Sequence, residues 1–253
     1  MARRFPSTDA FARATLDEVL TPGALGRATR YAATEFQSAV FLSQADGTFA
    51  FKPLPRLAQL APIHGLAAGD FDGDGAADIL AVGNSFAPIP EVSRFDGAVG
   101  WLLKGDRRGG FEAVSPADSG FIARRDARAL AVADLNQDGW PDAVVTRHND
   151  QSLVFMNQPA ASDRHSFAVS LSGEAGNPAA IGARLTLTLA DNSTQTTELA
   201  AGSGYFSQSS ATAFFGYRDG ATPRDLRIRW PDGRESGQTF DAAPPKTMRV
   251  SAP

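Results

Sequence analysis

Residues 70 to 78 read Asp-Phe-Asp-Gly-Asp-Gly-Ala-Ala-Asp and place four aspartates in nine positions. In bulk water two unit charges ~6 Å apart repel by ~0.7 kcal/mol, so this crowding requires solvent, salt or a bound cation to offset it. Calcium takes roughly six to eight oxygen ligands, and a short flexible loop supplies them from alternating positions. Here positions 1, 3, 5, 7 and 9 are Asp70, Asp72, Asp74, the carbonyl of Ala76, and Asp78, with Gly75 at the sharp turn of position 6. A second loop, 64 residues further on, aligns without a gap: Asp134, Asn136, Asp138, the carbonyl of Trp140, and Asp142, with Gly139 at position 6. Two loops in register with one donor pattern point to two calcium sites, where a single Asp- and Gly-rich hairpin turn would not. The second loop offers three carboxylates and an amide against four carboxylates, so weaker binding is expected there.

Other chemistry is sparse. His64, His148 and His165 lie far apart, and each reads as a surface or packing residue. There is no Gly-x-Ser-x-Gly elbow, P-loop or His-Glu-x-x-His pattern. No catalytic residue is assigned, and the expectation is a protein that is not an enzyme.

The elements around the loops are strands. An EF-hand would place an acidic residue at position 12 and helices on both sides. Position 12 here is Ala81 or Val145, inside an apolar strand-like run. "GLAAGDFDGDGAADILAVGN" from Gly65 and "ALAVADLNQDGWPDAVVTRHN" from Ala129 are therefore copies of one β-unit. A further strand follows each: "VGWLLKG" from Val99 and "SLVFMNQ" from Ser152. "SAVFLSQADGTF" from Ser38 resembles that later strand of an incomplete earlier unit. Residues 8 to 20 predict one short amphipathic helix, capped among Ser7, Thr8 and Asp9 and ended by Pro22 and Gly23.

Residues 159 to 165, "PAASDRH", read as a linker, and 166 to 253 as a second all-β domain. Its strands are "SFAVSLS", "ARLTLTLA", "TQTTELA", "RDLRIRW" and "KTMRVS". Trp230 reads as a core anchor beside a hairpin turn, and Arg227 and Arg229 as the solvated face of their strand. The Gly-rich stretch 201 to 210 has two readings. One is a ligand loop in which Tyr205 stacks on a sugar while Ser207 and Gln208 donate or accept hydrogen bonds. The other is a tight connection whose aromatics plug the core.

Composition bounds the rest. The chain has 253 residues, 43% hydrophobic and 21% charged, with net charge −4 and no cysteine. This is globular, and the acidic balance argues against a nucleic-acid or anionic-membrane partner. Disulfides, thiol chemistry and cysteine-based zinc sites are excluded. No apolar run approaches the ~20 residues of a membrane span. The start, "MARRFPSTDAFARATLDEVL", has no apolar segment of signal-peptide type behind its arginines.

The two acidic loops resemble the FG-GAP, or VCBS-type, repeats of calcium-binding β-propellers. "GNPAAIGARLTLTL", "AGSGYFSQSS", "FFGYRDG" and "LRIRWPDGR" resemble the ASPIC/UnbV domain, which follows such repeats in the cartilage acidic protein family and its bacterial relatives. The resemblance covers residues 35 to 253. It implies an all-β fold: propeller blades over 31 to 158, after an N-terminal helix and connection over 1 to 30, then a small sandwich-like domain. It implies calcium at Asp70, Asp72, Asp74 and Asp78 and at Asp134, Asn136, Asp138 and Asp142. It further implies a secreted or cell-surface parent protein with an adhesive or matrix role and a protein or glycan partner. Alternatives are a carbohydrate-binding or polysaccharide-processing propeller, or an accessory factor in natural-product biosynthesis. A closed propeller needs at least about four blades, and this sequence holds two and part of a third. The expectation is therefore a C-terminal fragment whose open sheet edges further blades or another chain would cover.

Overall fold

The computed structural model describes residues 5–89, 91–158 and 161–253. The chain divides into two units, Met1–Phe36 and Gln37–Pro253. In the first unit the single helix expected over 8 to 20 is replaced by three short ones, α1 (Thr8–Ala12), α2 (Leu16–Val19) and α3 (Pro22–Arg27). The reason is capping. Ser7 caps α1, Thr15 and Glu18 form a reciprocal capping box that starts α2, and Thr21 caps α3. Pro22 sits in the first turn of α3, where its missing N–H costs nothing, and so begins a helix where the sequence reading had it end one.

The second unit is all β apart from short helical turns. β1 (Ala39–Ser43) and β2 (Phe49–Pro53) form a hairpin. β3 (Ile63–Gly69), β4 (Asp78–Gly83), β5 (Trp101–Gly105) and β6 (Phe111–Val114) follow as a four-stranded antiparallel meander. After α4 (Pro116–Ser119), β7 (Ala127–Ala133), β8 (Asp142–Arg147) and β9 (Asp150–Phe155) form a three-stranded one. The repeat extends to its irregularities: the ladder slips between Ile63 and Gly65 in one copy and between Ala127 and Ala129 in the other.

β4 is buried on both faces, which is why it reads as an unbroken apolar run. Leu80 and Val82 pack against Leu130, Val132 and Val145 of the next sheet. Ile79 and Ala81 pack on the opposite side with Trp101, Leu103, Leu54 and Ala58. The sheets stack as blades, and Gly65 permits the approach, since a Cβ there would lie 2.8 Å from the Leu130 nitrogen. β1–β2 matches β5–β6 in loop length, closed by Gln44 N–H to Thr48 O at 2.8 Å and Asp106 N–H to Gly110 O at 3.1 Å. It is the outer half of a blade, and its face leaves Phe41 and Phe49 each 66% exposed.

β10 (Arg164–Ser172) begins inside the stretch read as a linker, of which Pro159 and Ala160 lie outside the described residues. It pairs antiparallel with β13 (Thr212–Arg218) and parallel with β16 (Thr247–Ser251). A second sheet runs β12 (Thr194–Glu198), β11 (Arg184–Leu189), β14 (Pro223–Arg229), β15 (Glu235–Thr239). Phe167, Val169 and Phe215 of one sheet meet Leu185, Leu187, Leu226 and Ile228 of the other in one core, which includes Trp230. β13 sends Ala213, Phe215 and Tyr217 into this core, with Phe214 on its other face, whereas β15 is an edge strand of Glu-Ser-Gly-Gln-Thr with no apolar alternation.

Candidate metal centre

The two acidic loops fold to one template. In the first, Asp70 accepts from the N–H of Gly73 (2.7 Å) and Asp74 (3.1 Å) at one oxygen and of Gly75 (2.6 Å) at the other. In the second, Asp134 accepts from Asp138 (3.1 Å) and Gly139 (2.9 Å). Asp74 accepts from the Ala76 N–H as Asp138 does from that of Trp140. Positions 4 and 6 are left-handed in both: Gly73 and Gly75 at φ 73° and 82°, Gln137 and Gly139 at 61° and 87°. Position 6 was legible as glycine, whereas position 4 was not, because Gln137 adopts there a conformation that glycine takes more easily.

Position 9 ties each loop to its sheet. Asp78 accepts from Phe71 N–H (3.1 Å) and Gly105 N–H (2.9 Å), and Asp142 from Leu135 N–H (2.8 Å) and Asn157 N–H (2.8 Å). These two carboxylates are 1% and 0% exposed.

Metal-ligating capacity differs between the copies. Among the described residues, Asp70, Asp72 and Asp78 form a group of three acidic side chains whose ligand atoms all lie within 4.8 Å of one another. Burial pushes the Asp70 carboxyl up to about 7, with the charges of Asp78, Asp72 and Asp74 adding to the rise and the Gly75 N–H opposing it. Burial likewise lifts Asp78 to about 6. Converging oxygens on buried, crowded carboxyls suit a divalent cation, so the residues fit one. Asp74 turns elsewhere. Burial would raise it, but Lys104, the Ala76 N–H and Arg218 hold it below the ordinary carboxylate range. Asp134, Asn136, Asp138 and Asp142 share one loop, in which Asn136 spends its amide N–H on Asp138 at 2.8 Å.

Both loops lie against the β13–β10–β16 sheet. A Cβ on Gly216 of β13 would sit 1.9 Å from an Asp70 oxygen, and one on Gly139 would sit 2.4 Å from the Lys246 carbonyl. Ser166 donates to the Gly139 carbonyl at 2.8 Å. Cations also converge on the first loop. Lys104 Nζ is 2.9 Å from Asp74 and also pairs with Asp72. Arg164 reaches Asp72 at 2.7 Å, and Arg218 reaches Asp74 at 3.3 Å. Sequence reasoning missed these three, since nothing local in the chain links them to Asp72 or Asp74.

The 201–210 stretch is a strap on β7. Ser207 donates to Leu130 O (2.7 Å), Ser209 accepts from Val132 N–H (3.0 Å), and Ser210 N–H donates to Val132 O (2.9 Å). Gln208 accepts from Gly202 N–H. Tyr205 and Phe206 project at the tip, 62% and 75% exposed, their rings 4.1 Å apart. The core-plug reading is thus overturned, and the polar groups assigned to a ligand hold the loop itself. His64 lies 3.1 Å from Arg128, and His165 pairs with Asp219 at 2.7 Å and stacks on Tyr217.

A search of curated proteins finds no match to this chain. Family models do match: FG-GAP-like repeat over residues 29–81, FG-GAP repeat over 64–99, and ASPIC and UnbV over 173–248. The blade that holds the first acidic loop is therefore an FG-GAP repeat, the second loop copies its template, and the chain joins FG-GAP repeats over residues 29–99 to a C-terminal ASPIC and UnbV domain over 173–248.

Proposed function

We propose that the chain is a calcium-stabilised, non-enzymatic interaction module that works outside the cell, at the surface or in the surrounding matrix. The observation that carries this reading is the convergence of Asp70, Asp72 and Asp78 on one point. They would hold the ion together with the carbonyl of Ala76, and the ion would supply the positive charge that these crowded carboxyls lack. FG-GAP repeat modules are in general interaction domains and often bind calcium, which supports the assignment. In this reading calcium fixes the blade loops, and the exposed Tyr205–Phe206 tip is the partner-facing surface, since solvent-exposed aromatics anchor many interfaces.

The test is isothermal titration of calcium into chelator-stripped protein, beside the Asp72→Asn/Asp138→Asn variant. Saturable heat in the wild type that falls in the variant is expected. Identical traces from the two proteins would refute the metal assignment.

A further inference from the structure

The two loops share a template but not a charge environment. The first faces Lys104 of β5, Arg164 at the start of β10 and Arg218 at the end of β13. Arg164 also donates to the Asp72 carbonyl at 3.0 Å, and Arg107 to that of Asp74. Among the described residues, no lysine or arginine pairs with Asp134, Asn136, Asp138 or Asp142. Two of the cations at the first loop, Arg164 of β10 and Arg218 of β13, come from the C-terminal sandwich. The side chains of Arg164 and Asp72 are 16% and 17% exposed, so their attraction is only partly screened by water.

We propose that Arg164 and Arg218 set the metal affinity of the first loop, by occupying Asp72 and Asp74 and by placing fixed positive charge beside the ion's position. This inference rests on the calcium reading above. Calcium and the Arg164 guanidinium are alternative counter-charges for Asp72, while Arg218, paired with the neighbouring Asp74, adds fixed positive charge beside the ion's position, and charge-assisted bonds from guanidinium to carboxylate are strong. The consequence runs both ways, as linkage requires: docking of the C-terminal sheet weakens calcium at the first loop, and calcium there weakens the arginine contacts of the seam. It also reverses the order expected from ligand count. The second loop, with one carboxylate fewer but no competing cation, becomes the tighter site.

The experiment is calcium titration by calorimetry on the full chain carrying Asp138→Asn, so that the first loop dominates the signal. Arg164→Gln/Arg218→Gln is compared with Arg164→Lys/Arg218→Lys in that background. The glutamine pair is expected to bind calcium at least about tenfold more tightly. The lysine pair, which keeps the charge, should return the affinity to within about threefold of the parent. Thermal unfolding in chelator should show the glutamine pair less stable than the parent. Equal or weaker calcium binding in the glutamine pair overturns the inference while leaving the calcium reading intact, provided that the parent binds. Absence of calcium binding in the wild type, the parent and both variants overturns both.

Discussion

Asp70 and Asp78 carry the electrostatic cost of the first loop, because both carboxyls are buried beside two further aspartates. Their affinities for a proton rise from the ordinary 3.8 to about 7 and about 6. A carboxyl that binds its proton more tightly folded than unfolded favours the folded chain in acid. That contribution is complete below about 3.8 and is lost as pH rises through about 6 and 7. A metal ion reverses the need for the proton. Calcium should therefore raise the melting temperature more at pH 8 than at pH 5.5, by ~5 °C or more for a domain of this size. Differential scanning fluorimetry with saturating calcium and with chelator at both pH values checks this, and a calcium increment that is the same at both would contradict it.

At the scale of elements, the loops demand backbone space that only glycine leaves. Gly139 is left-handed at φ 87°, and a Cβ there would meet a backbone carbonyl at 2.4 Å. Gly216 has no positive φ, yet its Cβ would meet Asp70 at 1.9 Å. Gly139→Ala should cost ~2–4 kcal/mol through strain and overlap together. Gly216→Ala should cost a similar ~1–3 kcal/mol by overlap, and should in addition disturb the metal loop. Urea denaturation separates the two further: the Gly216 variant should lose calcium-dependent stabilisation, and the Gly139 variant should keep it at the first loop. The β7 strap obeys the same logic of backbone accounting. Ser207, Ser209 and Ser210 satisfy Leu130 and Val132, which lie on an edge strand that would otherwise present unpaired groups.

At the scale of the whole molecule, the seam between FG-GAP sheets and C-terminal sandwich is made of buried side chains and close backbone contacts. Phe214 of β13 packs against the inter-blade core, and Ser166 of β10 donates across the seam to the Gly139 carbonyl at 2.8 Å. Residues 37–253 form one compact unit, so they should unfold in one cooperative transition in calcium. Calorimetry that resolves two separate transitions in calcium would contradict a shared seam.

The acidic loops were legible in the sequence because metal-type donors at alternating positions and a glycine at the turn are local requirements. The strand meanders were legible because β4 and β8 alternate or run apolar over lengths only a sheet can bury. The C-terminal core was equally readable in Leu185, Leu187, Leu226 and Ile228. The single N-terminal helix failed because capping by Thr15 and Thr21 outweighed apolar spacing. The strand at 212–218 was missed because Phe214 and Gly216, on the face opposite Ala213, Phe215 and Tyr217, answer to the inter-blade core and to Asp70, 146 positions away, and so mask the alternation. The sequence by itself determined that two matched oxygen-donor loops sit between strands. Only the tertiary structure decided that one loop is met by Lys104, Arg164 and Arg218 while the other is not. Loop chemistry is written within nine consecutive residues, whereas the field at a loop is set by charges that folding brings from distant strands.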